Sequence, residues 1–221
     1  MIAVNQYLER LTDKLKECFS KRLLYVGLQG SYLREEADEN SDIDVMVLVD
    51  GLGPEDLRTY RKIIQEMSES DKACGFLCGK EEMRHWNPLE ICHLLHTTKD
   101  YYGILRDYTP KYTLEDEQNY VKVSLNNLFH EICHRYLYGS QEKNVTSLPY
   151  SYKAVFFLLQ NIHYLETGEF LLTKQALLAV LKGRDREVLE KSTTLRNEKN
   201  YDFEEAYQLL FQWCQEMIRK I

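Results

Sequence analysis

With 221 residues, 44% of them hydrophobic and 12% aromatic, the chain has material for one large or two small folded domains, and this composition excludes a disordered protein. Asp and Glu outnumber Lys and Arg by 35 to 28, a formal charge of −7, and the basic residues form no long stripe, which argues against a duplex nucleic-acid surface. No apolar run is long enough to span a bilayer and the amphipathic start lacks a signal-peptide pattern, so the expectation is a cytoplasmic protein with no membrane partner.

From Met1 to Phe19 the spacing of Val4, Leu8, Leu11, Leu15 and Cys18 predicts a helix. Leu23, Leu24, Tyr25, Val26 and Leu28 then form a short apolar run of strand formers that ends at Gly30-Ser31. A turn is required there. Gly30 has no side chain to keep a ligand from the backbone, and Ser31 offers a hydroxyl and an N–H at the start of a short helix, an arrangement suited to phosphate oxygens. After the polar stretch Arg34 to Asn40, the run Asp42-Ile43-Asp44-Val45-Met46-Val47-Leu48-Val49 reads as a central strand. Residues two apart on a strand share a face, so Asp42 and Asp44 project together while Ile43 points to the core. Their mutual repulsion is relieved when a hard divalent cation such as Mg²⁺ binds the oxygens.

Pro54 to Glu69 follows the Gly51-Leu52-Gly53 break and reads as a helix, and Ala73 to Cys78 as a short strand. Leu89 to His96 alternates in part and is expected to be a further strand, entered from Trp86-Asn87-Pro88. Asp107 to Glu117 is the expected boundary, giving domains at 1–110 and 111–221. Beyond it the pattern is helical over Asp116–Tyr138, Pro149–Thr167, Thr173–Leu181, Arg186–Thr193 and Phe203–Ile221. The six cysteines (Cys18, Cys74, Cys78, Cys92, Cys133 and Cys214) are expected to be free thiols in or near the core. Cys74 and Cys78 have no second Cys pair at zinc-ligand spacing.

Gly30, Ser31, Arg34, Ala37, Ser41, Asp42, Ile43 and Asp44 together resemble the signature of the DNA polymerase beta-like nucleotidyltransferase superfamily, a Gly-Ser turn followed by Ser-Asp-x-Asp. Glu35 stands where many members carry a second Gly. Ser151 to Gln160, then Thr167-Gly168-Glu169-Phe170 and Thr173-Lys174, resemble the C-terminal helical domain of aminoglycoside nucleotidyltransferase-like proteins. The resemblance implies an α+β fold, a small mixed-sheet catalytic domain followed by a helical bundle. It also implies an enzyme that transfers a nucleoside monophosphate from an NTP, expected to be ATP, to a hydroxyl of a small acceptor, with one or two Mg²⁺ ions. On it, Asp42 and Asp44 hold metal, Gly30, Ser31, Arg34 and Ser41 serve the nucleotide, and Lys153 or Lys174 from the helical half meets the triphosphate. Ser41 also suits a purely turn-shaping role, and Arg34 a salt bridge to a neighbouring acid. Glu90 is the candidate third carboxylate, as metal ligand or general base, ahead of Asp71, Glu81 and Glu82.

His130-Glu131-Ile132-Cys133-His134 matches H-E-x-x-H, which on a helix suits a zinc protease. The extended metzincin pattern fails at Leu137, where Gly is required. A non-catalytic, antitoxin-like nucleotide-binding protein acting on a protein partner is the other rival. Such members usually resemble the catalytic half alone, so the long helical half favours a small acceptor. A helical ribonuclease would need an Arg followed closely by a His on one helix, and no convincing instance follows residue 116.

Overall fold

The computed structural model describes residues 2–195 and 200–221, so the expected helical start at Met1 lies outside the described residues. The chain forms two compact units, Met1–Tyr112 and Thr113–Ile221.

In the first unit, β1 (Leu23–Leu28), β2 (Ile43–Val49), β3 (Ala73–Gly79) and β4 (Lys99–Tyr102) form a sheet in the order β3-β2-β1-β4. β1 is antiparallel to both neighbours, and β2 is parallel to β3. The parallel pair needs a crossover, and α3 (Pro54–Gln65) supplies it. Every residue of β2 except Asp44 is buried, as a central strand requires.

Side-chain alternation divides the sheet into two faces. Val26, Leu28, Ile43, Val45, Val47 and Val49 pack beneath α1 (Val4–Phe19), through Tyr7, Leu8, Leu11, Leu15 and Phe19, and beneath Ile63 of α3. Burial of each large apolar side chain contributes about 1.5–3 kcal/mol, enough to fix which face of α1 turns inward. Tyr25, Met46, Leu48 and Cys78 face the opposite way, against Met83 of α4 (Lys80–Arg84), Ile91 of α5 (Pro88–His96) and Leu105 of a 3₁₀ turn. Asp44 belongs to this second face, because it alternates in step with Met46 and Leu48.

Several expectations are corrected by the structure. The segment expected as a strand from Leu89 to His96 is the helix α5. Asn87 caps it, its side-chain oxygen accepting from Leu89 N at 3.2 Å, and Pro88 takes the first helical position, where its missing N–H costs nothing. The strand at this place in the chain is β4, which begins three residues further on, at Lys99. The helix expected to run to Glu69 ends at Gln65. Finally, Cys18 and Cys74 are exposed, whereas Cys78, Cys92 and Cys214 are buried.

The second unit is helical: α6 (Leu114–Tyr138), α7 (Gln141–Thr167), α8 (Lys174–Val180), α9 (Gly183–Thr194) and α10 (Phe203–Lys220). Its core gathers Val121, Leu125, Tyr152, Val155, Leu159, Leu189, Leu210 and Trp213. The Trp213 indole N–H, inside this core, donates to Asp185 at 2.7 Å, which removes the cost of an unpaired polar group there. The helix expected to start at Pro149 begins eight residues earlier and runs through the proline. Pro149 cannot donate to Val145 O one turn back. The Tyr201 hydroxyl donates to that carbonyl instead, at 2.5 Å, so a tertiary contact satisfies the group that the proline leaves open.

Candidate active site

The Gly-Ser turn and the acidic strand end meet at one end of the sheet. Gln29 N donates to Asp44 O at 2.9 Å, and from there the chain turns into α2 (Gly30–Leu33). Gly30 has φ +69°, a conformation that disfavours any side chain, and a Cβ built on it would overlap the Asp44 carboxylate, 2.7 Å from Cγ. The glycine therefore does two jobs: it makes the turn, and it lets Asp44 lie directly against the backbone of the phosphate-type loop. Glu35, at the loop's far end, also has positive φ, +58°. The left-handed backbone that a second glycine would suit is thus kept here with a side chain attached.

Asp42 is exposed and Asp44 half-buried. Burial and then the Asp42 charge push the Asp44 carboxyl above its ordinary value, while the Cys74 thiol and the Arg34 guanidinium pull it back. Such a site favours whatever neutralises it, a proton or a cation. Arg34 does so only in part, because its Nε donates to Glu36 Oε2 at 3.0 Å. Ser41 is occupied in the turn: its Oγ accepts from Asp38 N at 2.9 Å and contacts Asp38 Oδ1 at 3.1 Å. Its structural role is that of a turn-shaping residue.

Two further groups share the Asp44 face of the sheet, one of them beside it. Cys74 is its partner across the parallel β2–β3 pair, and burial, followed by the Asp44 charge, raises the Cys74 thiol pKa. Asp100 on β4 stands opposite Gly27, itself opposite Met46, so Asp100 shares the Asp44 face of the sheet. The Tyr25 phenol lies beside it over the bare Gly27, its pKa raised by burial and then by Asp100. Neither placement was legible in the sequence, because both depend on strand register.

Glu90 sits exposed in the first turn of α5 and accepts from Trp86 Nε1 at 2.5 Å. Trp86 in turn packs edge-on against Phe76, ring centroids 5.2 Å apart. Among the described residues, no three His, Cys, Asp or Glu side chains are arranged to hold a metal. Glu90 thus makes no three-carboxylate cluster with Asp42 and Asp44. Of the competitors, Glu81 pairs with Arg84 and Glu82 lies against Gly79.

In the second unit, Lys153 is exposed, with Nζ 5.0 Å from the Tyr150 ring centroid, and Lys174 lies 5.7 Å from that of Phe156. The H-E-x-x-H segment lies on α6, but Glu131 is engaged by Arg135 and Ser151, each at 2.7 Å. With no third ligand among the described residues, the protease arrangement is not formed.

The Gly30-Ser31 turn and Asp44 lie within residues 8–82, which match the nucleotidyltransferase domain family. The match marks this part of the chain as a nucleotidyltransferase domain, that of an enzyme. Among solved structures, the chain is similar to the spectinomycin adenyltransferase AAD(9) from Enterococcus faecialis, crystallised with ATP and spectinomycin. The likeness has a TM-score of 0.60 at 15% identity and covers 97% of this chain and 99% of that one. At such identity it establishes the fold, including the pairing of a mixed-sheet unit with a helical one. No curated protein matches the chain.

Proposed function

We propose that the protein transfers a nucleoside monophosphate, with ATP as donor, to a hydroxyl of a small, polar, aminoglycoside-like acceptor. The observation that carries this reading is the Asp44 carboxylate seated against Gly30, with Asp42 adding to its charge. The donor set fits Mg²⁺: two carboxylates from one strand end, hard oxygens whose repulsion a cation removes. Bound there by Asp42 and Asp44, Mg²⁺ would neutralise triphosphate charge and polarise the α-phosphate.

The residues of the chain supply the rest. The backbone of Gly30 and Ser31 is open to phosphate oxygens, and Arg34 adds a positive charge beside them. The acceptor oxygen bonds to the α-phosphorus as the bond to pyrophosphate breaks, and the hydroxyl proton passes to a carboxylate. Glu90 is proposed for that role on the acceptor side. Asp100 competes with it through its place on the Asp44 face. ATP as donor and an acceptor of this class are supported by the ligands of the similar adenyltransferase. Lys153 is proposed as a further nucleotide-binding residue. The −7 charge and the absence of a membrane-length apolar helix among the described residues suit a small acceptor in the cytoplasm rather than nucleic acid or lipid.

Incubation with each α-labelled nucleoside triphosphate, Mg²⁺ and a panel of aminoglycosides and related aminocyclitols tests the reading. Label should pass from ATP to an acceptor and be lost with Asp44→Asn. Full metal-triphosphate binding in that variant would remove the site. Glu90→Gln and Asp100→Asn, compared at equal nucleotide affinity, assign the proton acceptor to whichever loses turnover.

A further inference from the structure

The H-E-x-x-H segment is left unused by nucleotidyl transfer, and its side chains are not idle packing. His130 and His134 stand on the same exposed stripe of α6, one turn apart, with ring centroids 5.9 Å apart. Among the described residues no hydrogen bond or ion pair engages either imidazole. His134 has a further ring neighbour in Tyr138, at 5.0 Å. Glu131 between them turns away, its Oε1 taken by Arg135 and by the Ser151 hydroxyl. Arg135 is tied to the same two groups, so its charge is directed into this cluster.

We propose that His130 and His134 form a two-imidazole chelate for a borderline transition-metal ion, Cu²⁺, Ni²⁺ or Zn²⁺, with water completing the shell. The spacing agrees: with metal–nitrogen bonds of about 2.0–2.1 Å, two imidazole centroids sharing one ion lie roughly 4.5–6.5 Å apart. Imidazole selects this class of cation, whereas Mg²⁺ prefers oxygen. Glu131 takes no part, so the site binds metal without the general base that peptide hydrolysis requires. The proposal does not depend on the transfer reaction or on its metal.

Calorimetric titration of the tag-free full chain with Ni²⁺, and electron paramagnetic resonance with Cu²⁺, test it. One site with nitrogen ligation is expected. His130→Ala and His134→Ala should each weaken it at least tenfold, while Glu131→Gln and His85→Ala leave it unchanged. Both histidines are exposed, so the variants should keep the parent's circular dichroism, and His134→Gln retains side-chain size if the alanine variant does not. Saturating Ni²⁺ should raise the melting temperature of the parent and not of the histidine variants, because an ion that binds only the folded helix stabilises it by mass action. Undiminished affinity in both histidine variants would overturn the proposal. So would loss of binding in Glu131→Gln, or no binding at millimolar Ni²⁺.

Discussion

The two units differ in whether a crowded carboxylate and a left-handed backbone fall at the same place. In the second, Arg135–Glu131, Arg186–Glu190, Arg184–Glu216 and Lys220–Glu166 pair at the surface, where each pair contributes little. The first unit has such pairs too, Arg10–Glu69 and Lys14–Glu66 among them. At one end of its sheet, however, Asp44 is half-buried beside a like charge and against a glycine held at φ +69°, and Glu35 closes the same loop in a left-handed conformation. Electrostatic cost and backbone strain coincide at one place. That coincidence separates a chemical site from a solvated surface more sharply than the number of charges does.

Substitutions can break this contrast. Trp213→Ala should remove about 3–5 kcal/mol from the second unit, because the side chain is fully buried and its N–H bond to Asp185 is lost as well. Denaturant unfolding of the parent and the variant measures it. Gly30→Ala should cost about 2 kcal/mol and abolish metal-triphosphate binding, since the methyl group meets the Asp44 carboxylate and the backbone is unfavourable for it. Isothermal titration with Mg²⁺ and ATP reads the binding loss. If Gly30→Ala binds as the parent does, the strained turn is only architectural.

A smaller effect follows from Asp44 itself. Its pKa is raised in the folded chain, so the folded state holds that proton more tightly than the unfolded chain does. The ionised carboxyl therefore opposes folding above the raised value, and the penalty fades as pH falls toward the ordinary carboxylate range. Metal-free Asp44→Asn should accordingly melt higher than the parent at neutral pH, with the gap closing in acid. This is opposite in sign to its effect on turnover, and thermal melts from neutral to acid pH in a chelator would show it. Smallest is Glu35→Gly. Left-handed backbone costs a side-chain-bearing residue about 1–2 kcal/mol and glycine costs about 0.5–1 kcal/mol of chain entropy, leaving a net gain of about 0.5–1 kcal/mol. A loss of stability would mean that the Glu35 side chain supports the loop.

Much of the first unit was legible because its signals are local. Gly30 announces a turn, the alternation through Asp42, Asp44 and Met46 gives a strand and its face, and Pro54 opens a helix. The errors also have local causes. Asn87-Pro88 is a helix start, but the partial alternation of Leu89 to His96 concealed it, and with it the strand that carries Asp100. Pro149 was read as a beginning because proline normally is one. The carbonyl it leaves open is satisfied by Tyr201, 56 residues away, and no local pattern contains that contact.

The sequence by itself determined that a Gly-Ser turn precedes the strand bearing Asp44, with Asp42 just before it, and that a helical half follows. These are properties of backbone preference and of periods of two and about 3.6, which residues close in the chain set among themselves. Only the tertiary structure decided that Asp44 rests on Gly30, that Cys74 and Asp100 join its face, and that Glu131 is drawn by Ser151 away from its two histidines. Each of these is a contact between segments, set by strand register and helix packing, and the energies that choose among registers belong to the whole core.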